Sequence, residues 1–384
     1  MKIAYKTLLI VALTVTAIAT ISSCKKDSVS GEPHIDYIRV TSPESSDSLL
    51  VGAYQGALIA LVGQNLEGAT QIWFNDLQAP VTPTYNTATT ILIRVPSDIP
   101  MEINNTLKIV FASGRILDYP FHVQISEPEV TLMDCEYVPA GSIATIHGKY
   151  FYAPVTVTFA GGVTGEVVSI DETNQLMEVK VPEGVQPGPV TVSTNFGETK
   201  SNFWFNDNRN IIVSSDPYTG WWNSSYVVTD PGASDPVKIN GNYIRINKAI
   251  GGWAWTEVAG GPPDAMGPIS KNIPDEAILK PQDYNLKFEI NTLKPYNSNV
   301  IKIMVGLTNW NNDEYRWMPP YDTKGQWKTV TIPFEEMVAA YKNSGSSMVV
   351  SPDGYYTRIL FHGPGDLDCD LCFDNFRIVP KIVK

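Results

Sequence analysis

Histidine and cysteine are the scarce residues of this 384-residue chain, four of each. Their scattering excludes most of the chemistry that depends on them. His34, His122, His147 and His362 form no triad pattern and no pair at metal-ligand spacing. Cys369 and Cys372 make a C-x-x-C, but no second pair of ligands follows to complete a zinc site. Positions three apart on an extended strand face opposite sides, so a disulfide between those two would require a turn. Cys135 reads as a small buried hydrophobe. Also missing are a Walker loop, a dinucleotide fingerprint, H-E-x-x-H and G-x-S-x-G. Charge is thin, at 18% of residues, and its balance is −12. That sign argues against nucleic acid and anionic lipid surfaces as partners.

Long apolar runs are nearly absent as well. The one present begins after the basic Lys2 and Lys6, covers residues 7–21, and ends in Ile21-Ser22-Ser23-Cys24. It is short for a membrane span and suits the apolar region of a secretory signal. The four residues ending at Cys24 resemble the lipobox of bacterial lipoproteins, with isoleucine where leucine is usual. The resemblance implies that Cys24 is acylated and becomes the mature N-terminus. An ordinary signal peptide with an incidental cysteine is the other reading. Residues 25–33 (KKDSVSGEP) are polar and read as a tether. No other apolar run of about 18 residues follows, so nothing else is expected to span a membrane.

What is abundant is strand chemistry. Residues 56–63 (GALIALVG) followed by 71–75 (QIWFN) match 141–148 (GSIATIHG) followed by 155–159 (VTVTF). Further on, 91–96 (ILIRVP) matches 177–182 (MEVKVP), and 107–111 with Gly114 matches 190–193 with Gly197. Such short alternating or β-branched segments, bounded by Gly, Pro, Asn or Asp, predict two antiparallel sandwiches, at 34–126 and 127–207, without a substantial helix. The Gly-(x)6-Gly strand, the x-Val-Pro segment and the closing Gly resemble the immunoglobulin-like IPT/TIG fold. Tandem domains of that kind usually act as spacers.

From about residue 208 the texture changes, and seven of the nine tryptophans lie beyond it. Strands are predicted at 242–248, 253–258, 284–292, 300–307, 326–332, 356–361 and 372–379, with one helix at 334–341. That count over 208–384 predicts a larger jelly-roll-like β-sandwich, making the whole chain all-β. The closing run 373–380 (FDNFRIVP) is similar to the last strand of many jelly-roll carbohydrate-binding modules. Alternation then sorts the rings. Trp253, Trp255 and Glu257 share one face of their expected strand, opposite the small or β-branched Ala254, Thr256 and Val258. The polar loop 309–318 gathers Trp310, Tyr315, Arg316 and Trp317. Val330 and Ile332 face inward, which puts Trp327 on the other side. Exposed tryptophans signal a partner. A sugar ring offers a flat patch of C–H groups for an aromatic face, edged by hydroxyls for Glu or Arg. The expected glycan site is therefore Trp253, Trp255, Glu257, Trp310, Tyr315, Arg316 and Trp317.

A lipobox, two IPT/TIG-like repeats and a Trp-rich terminal sandwich, in that order, resemble the cell-surface glycan-binding proteins of Bacteroidetes polysaccharide-utilisation loci. The nearest are those ending in a xyloglucan-binding-type domain. The resemblance implies an outer-membrane lipoprotein facing the cell exterior. It would capture a plant-type β-glucan, xyloglucan or related hemicellulose and work beside a glycan importer and surface glycanases. A glycoside hydrolase needs two carboxylates flanking a cleft. Glu257, Asp313, Glu314, Glu335 and Glu336 are the candidates, but the last two are adjacent on the expected helix and point apart. A surface adhesin or protein scaffold would place binding features on the repeats, whereas the rings concentrate beyond them. No cofactor is expected, although Asp366, Asp368, Asp370 and Asp374 leave a structural Ca²⁺ open.

Overall fold

A computed structural model describes residues 31–45, 47–220, 224–307, 314–342 and 347–382. Cys24, Trp310 and Asp313 lie outside the described residues. The chain is all-β and divides into two compact units, Met1–Ile125 and Ser126–Lys384. Among the described residues no helix is long and apolar enough to cross a membrane.

The first unit is a sandwich. One sheet orders His34–Val40, Leu58–Gln64 and Thr90–Arg94; the other orders Leu77–Ala79, Ala69–Phe74, Thr106–Phe111 and Ile116–Pro120. Alternate residues such as Leu107, Ile109 and Phe111 supply the core between them. The second unit opens with the equivalent strands, Ile143–Lys149, Thr156–Phe159, Leu176–Lys180 and Gly188–Thr194, in a seven-stranded array around Ile146, Phe159, Val179 and Val192. The repeated glycines have a physical basis. Gly56 and Gly141 turn the chain into the strand at φ +72° and +82°. Gly63 and Gly148 sit beside a β-bulge in the neighbouring strand, where a Cβ would meet the carbonyl of His34 at 2.0 Å or of Glu129 at 1.9 Å.

The C-terminal sandwich stacks two sheets. The five-stranded one runs Val227–Val228, Tyr243–Ile250, Leu367–Pro380, Tyr284–Thr292, Trp327–Pro333. The four-stranded one runs Thr256–Gly261, Tyr356–Phe361, Ile301–Gly306, Tyr315–Trp317. Ile246, Phe288, Ile290 and Phe373 from the first face Ile301, Ile303, Ile359 and Phe361 from the second. The helix Phe334–Lys342 follows its strand directly and seals the core with Phe334, Met337, Val338 and Tyr341. Two short helices, Pro263–Met266 and Asp275–Leu279, were not expected from the sequence.

The second IPT/TIG-like sandwich covers the outer face of the five-stranded sheet. Glu136 reaches across to Lys287 at 2.5 Å and Arg377 at 2.7 Å, and Arg377 also holds Glu289 at 2.8 Å. Both Arg377 and Glu289 are fully buried. Thr329 completes the junction, donating to Glu289 at 2.8 Å and accepting the Glu136 amide. This arrangement accounts for Trp327. It does lie opposite Val330 and Ile332, but that side is a second small core with Cys135, Tyr137, Tyr243 and Cys372. Its indole donates to the Val237 carbonyl at 2.9 Å.

Among the described residues, Cys135, Cys369 and Cys372 are buried and form no disulfide. Cys369 faces the main core and Cys372 the junction, opposite sides of one strand. Burial pushes the Cys369 thiol up to about 12, so it offers no thiolate at neutral pH.

Candidate functional site

The outer face of the four-stranded sheet lies away from the second sandwich, although Met304, Arg358 and Leu360 on it are themselves buried. Its outward residues follow from alternation: Arg358, Leu360 and His362 along one strand, Lys302 and Met304 on the next, Arg316 on the short edge strand. Beside them, Trp253 and Trp255 stand 62% and 54% exposed.

The strand expected from Trp253 begins later, at Thr256. Trp253 and Trp255 belong to the turn that enters it. Trp253 takes a left-handed φ of 61°, which is rare for a bulky residue and costs energy. Its amide donates to the Gly363 carbonyl at 2.7 Å, and the Gly252 amide donates to Asp366 at 2.8 Å, so the turn is tied down on both sides. Packing does not force two indoles into water here; the backbone is held so that they stay there.

Beneath Trp255 lies a built support. Its Nε1–H donates to Glu257 at 2.6 Å. Glu257 also accepts from Arg358, through Nε at 3.0 Å and through a shorter bond from the terminal guanidinium nitrogen. That guanidinium sits 4.7 Å from the Trp255 ring centroid, in cation–π range. Only 9% of either charged side chain is exposed. The pair thus fixes the tilt of the ring while its other face stays in solvent. His362 fills the angle between the tryptophans, with its ring centroid 5.5 Å from that of Trp253 and 4.9 Å from that of Trp255. Three rings therefore make one strip, edged by Arg316 and by Lys302, which pairs with Glu314 at 2.8 Å.

The expected site residues separate here. Trp253, Trp255 and Glu257 come together. Arg316 is on the same face, and its side chain is 61% exposed. Trp317 is corrected. The polar loop contains a strand, Tyr315–Trp317, paired to Ile301–Ile303, and this pairing turns Tyr315 and Trp317 inward. Trp317 is half-buried among Phe288, Tyr296 and Tyr321, with centroids 5.5, 5.3 and 5.1 Å away. Tyr315 is half-buried too, and burial raises its phenol pKa. Neither Arg358 nor His362 is in the expected set, although the alternation of 356–361 puts Arg358 opposite Ile359 and Phe361, and His362 follows that strand directly.

The acidic residues considered for calcium have separate engagements. Asp366 accepts from Gly252, Asp368 pairs with Lys294 at 2.7 Å, and Asp370 pairs with Arg245 at 2.8 Å. Asp374 is buried. Among the described residues no three His, Cys, Asp or Glu gather at metal-ligand spacing.

Residues 205–380 match the family model described as the surface glycan-binding protein B xyloglucan binding domain. An IPT/TIG domain-containing protein of Bacteroides ovatus is 30% identical over 151 residues, which are 38% of this chain and 31% of that relative. The chain thus spans about a third of the length of the curated relative it matches. Among solved structures, the surface glycan-binding protein PbSGBP-B from Prevotella bryantii shares the fold, with a TM-score of 0.68 and 24% identity. That likeness covers 92% of this chain and all of the other. A structure with a xylogluco-oligosaccharide superposes with a TM-score of 0.50 and 17% identity, over 92% of this chain and 100% of that one.

Proposed function

The chain resembles the surface glycan-binding proteins that join IPT/TIG repeats to a C-terminal xyloglucan-binding-type domain, and from that premise we propose that it captures a neutral plant β-glucan on the strip Trp253–His362–Trp255. The observation that carries this is the exposure of both indoles, 62% and 54%, on the outer face that the second sandwich leaves free. Each exposed indole can cover the apolar face of one pyranose, and Arg316 is placed for hydroxyls at the edge. Xyloglucan and mixed-linkage glucan are the polymers of choice, both being uncharged and built on glucose chains with flat apolar faces. The role is binding, not hydrolysis. Glu257 already accepts from Trp255 and Arg358, and Glu314 pairs with Lys302, so neither is available as a general acid beside a second carboxylate.

Acylation at Cys24 would hold the chain at the outer membrane facing outward, with the repeats setting the site away from the lipid. A glycan importer and surface glycanases would then receive what it binds. Affinity electrophoresis of residues 25–384 against soluble xyloglucan, mixed-linkage glucan, mannan, xylan and pectin tests the proposal. Retardation by one or more β-glucans, little changed by salt, is the expected result, because a neutral polymer offers no charge to screen. Migration unchanged by every β-glucan would overturn it.

A further inference from the structure

His362 is half-buried between two exposed indoles, and its two nitrogens are unlike. Nδ1 is sealed from solvent and has no hydrogen-bond partner among the described residues. The backbone around it leaves no room for adjustment. The His362 amide donates to Val300 at 3.0 Å, and a Cβ on the adjacent Gly363 would meet Val300 Cγ2 at 2.4 Å. A buried N–H without an acceptor is worse than a buried lone pair without a donor. The single proton of the neutral ring therefore belongs on Nε2, the nitrogen that is not sealed and that bonds to nothing among the described residues. Burial first, then the Lys302 ammonium, hold the imidazole below the ordinary histidine range, with Arg316 acting the same way and Glu314 against. The ring is thus neutral near pH 7, with one donor.

Building on the proposed glycan platform, we infer that His362 is its directional contact, giving the Nε2–H to a hydroxyl of the sugar stacked beside it. Stacking alone accepts any flat pyranose face. A fixed donor between two stacking rings accepts only a sugar that brings an oxygen to that point, which sets register along the chain. Specificity from a hydrogen-bonding site of this kind exceeds what an apolar surface supplies.

Calorimetry with a xyloglucan oligosaccharide and a mixed-linkage glucan oligosaccharide tests it. His362→Phe keeps a flat ring and removes the donor, and its dissociation constant should rise about tenfold at unchanged melting temperature. His362→Gln restores a donor and should recover part of that loss. In the wild type, the imidazole ¹⁵N spectrum should show Nδ1 unprotonated, with the Nε2 signal moving as oligosaccharide is added. Wild-type affinity in His362→Phe, or a proton found on Nδ1, would overturn the inference. Trp253→Ala and Trp255→Ala separate the two levels. If they weaken binding while His362→Phe does not, the platform stands and this contact falls. If neither affects binding, the platform itself is wrong and the inference goes with it.

Discussion

One outer face of the C-terminal sandwich buries Arg377 and Glu289 completely, while the other leaves Trp253 and Trp255 more than half in water. By composition alone the assignment would be reversed, with charges outside and indoles inside. The second IPT/TIG-like sandwich accounts for the first anomaly. It supplies Glu136 to Arg377 and Lys287, and its Tyr137 ring lies 5.0 Å from the guanidinium. Charges that would be costly alone become a shared junction that requires both sandwiches. The second anomaly has no such cover, only a support from below, Glu257 and Arg358. One face is thus held by permanent contact within the chain, and the other keeps its two indoles in solvent. This also changes what the second repeat is. It folds with the C-terminal sandwich into one compact unit, Ser126–Lys384.

Breaking the junction should have the largest effect. Arg377→Met leaves the buried Glu289 without its cation and Glu136 with Lys287 alone, a loss of about 3–5 kcal/mol. Chemical denaturation should show the transition of the second unit moving to lower denaturant while that of residues 31–125 stays in place. Glycan affinity of the still-folded variant should be near that of the wild type. A variant that unfolds like the wild type would mean the charges at this junction do not hold it.

Trp317→Ala comes next. As a ring packed on Phe288, Tyr296 and Tyr321, it should cost about 3 kcal/mol of folding stability and little binding. The opposite pattern would return Trp317 to the platform. Trp255→Ala should invert this result, costing about 1 kcal/mol of stability for the lost Glu257 bond and Arg358 contact. Its binding should weaken by about 2 kcal/mol, some thirtyfold in dissociation constant. Paired melting and calorimetry on these two variants sharpen the contrast between a ring that packs and a ring that binds.

These two tryptophans also show what the sequence could and could not tell. Alternation within a strand was readable: Tyr284–Thr292 and Tyr356–Phe361 fall where the pattern predicted, as does the inward face Ile301, Ile303, Val305. The Gly-(x)6-Gly repeat was readable because its glycines answer to backbone geometry within the repeat. Side chains whose surroundings come from another element were not readable. Trp317 reads as a loop residue in sequence, and the pairing Ile301↔Trp317 that turns it inward leaves no local signal. Trp327 was assigned to the correct side of its strand, but that side is covered by residues nearly two hundred positions earlier, Cys135 and Tyr137. Trp253 and Trp255 were expected to be exposed on a strand and are exposed on a turn, held by Gly363 and Asp366, which no local pattern links to them.

The smallest effect tests the covered face by pH. Asp374 lies beside Glu289 on the neighbouring strand and is buried. Its Oδ1 accepts the Asn375 amide at 2.9 Å, while Oδ2 has no partner among the described residues. Burial, and then the Glu289 charge, raise its carboxyl well above the ordinary aspartate range. The folded state therefore holds a proton on Asp374 at pH values where the unfolded chain, titrating near about 3.9, has released it. Stability changes with pH as the protons bound by the unfolded state minus those bound by the native state. That difference is negative here, so the group makes stability fall as pH rises from the unfolded pKa to the raised folded one, then level off. Asp374→Asn carries no titrating proton, so its contribution is flat with pH. Whatever constant offset the amide adds, denaturation of the two proteins across the acidic-to-neutral range should show the variant gaining on the wild type as pH increases. Parallel pH curves for wild type and Asp374→Asn would mean that water reaches this carboxylate, and that the face beneath the second sandwich is less sealed than Arg377 and Glu289 indicate.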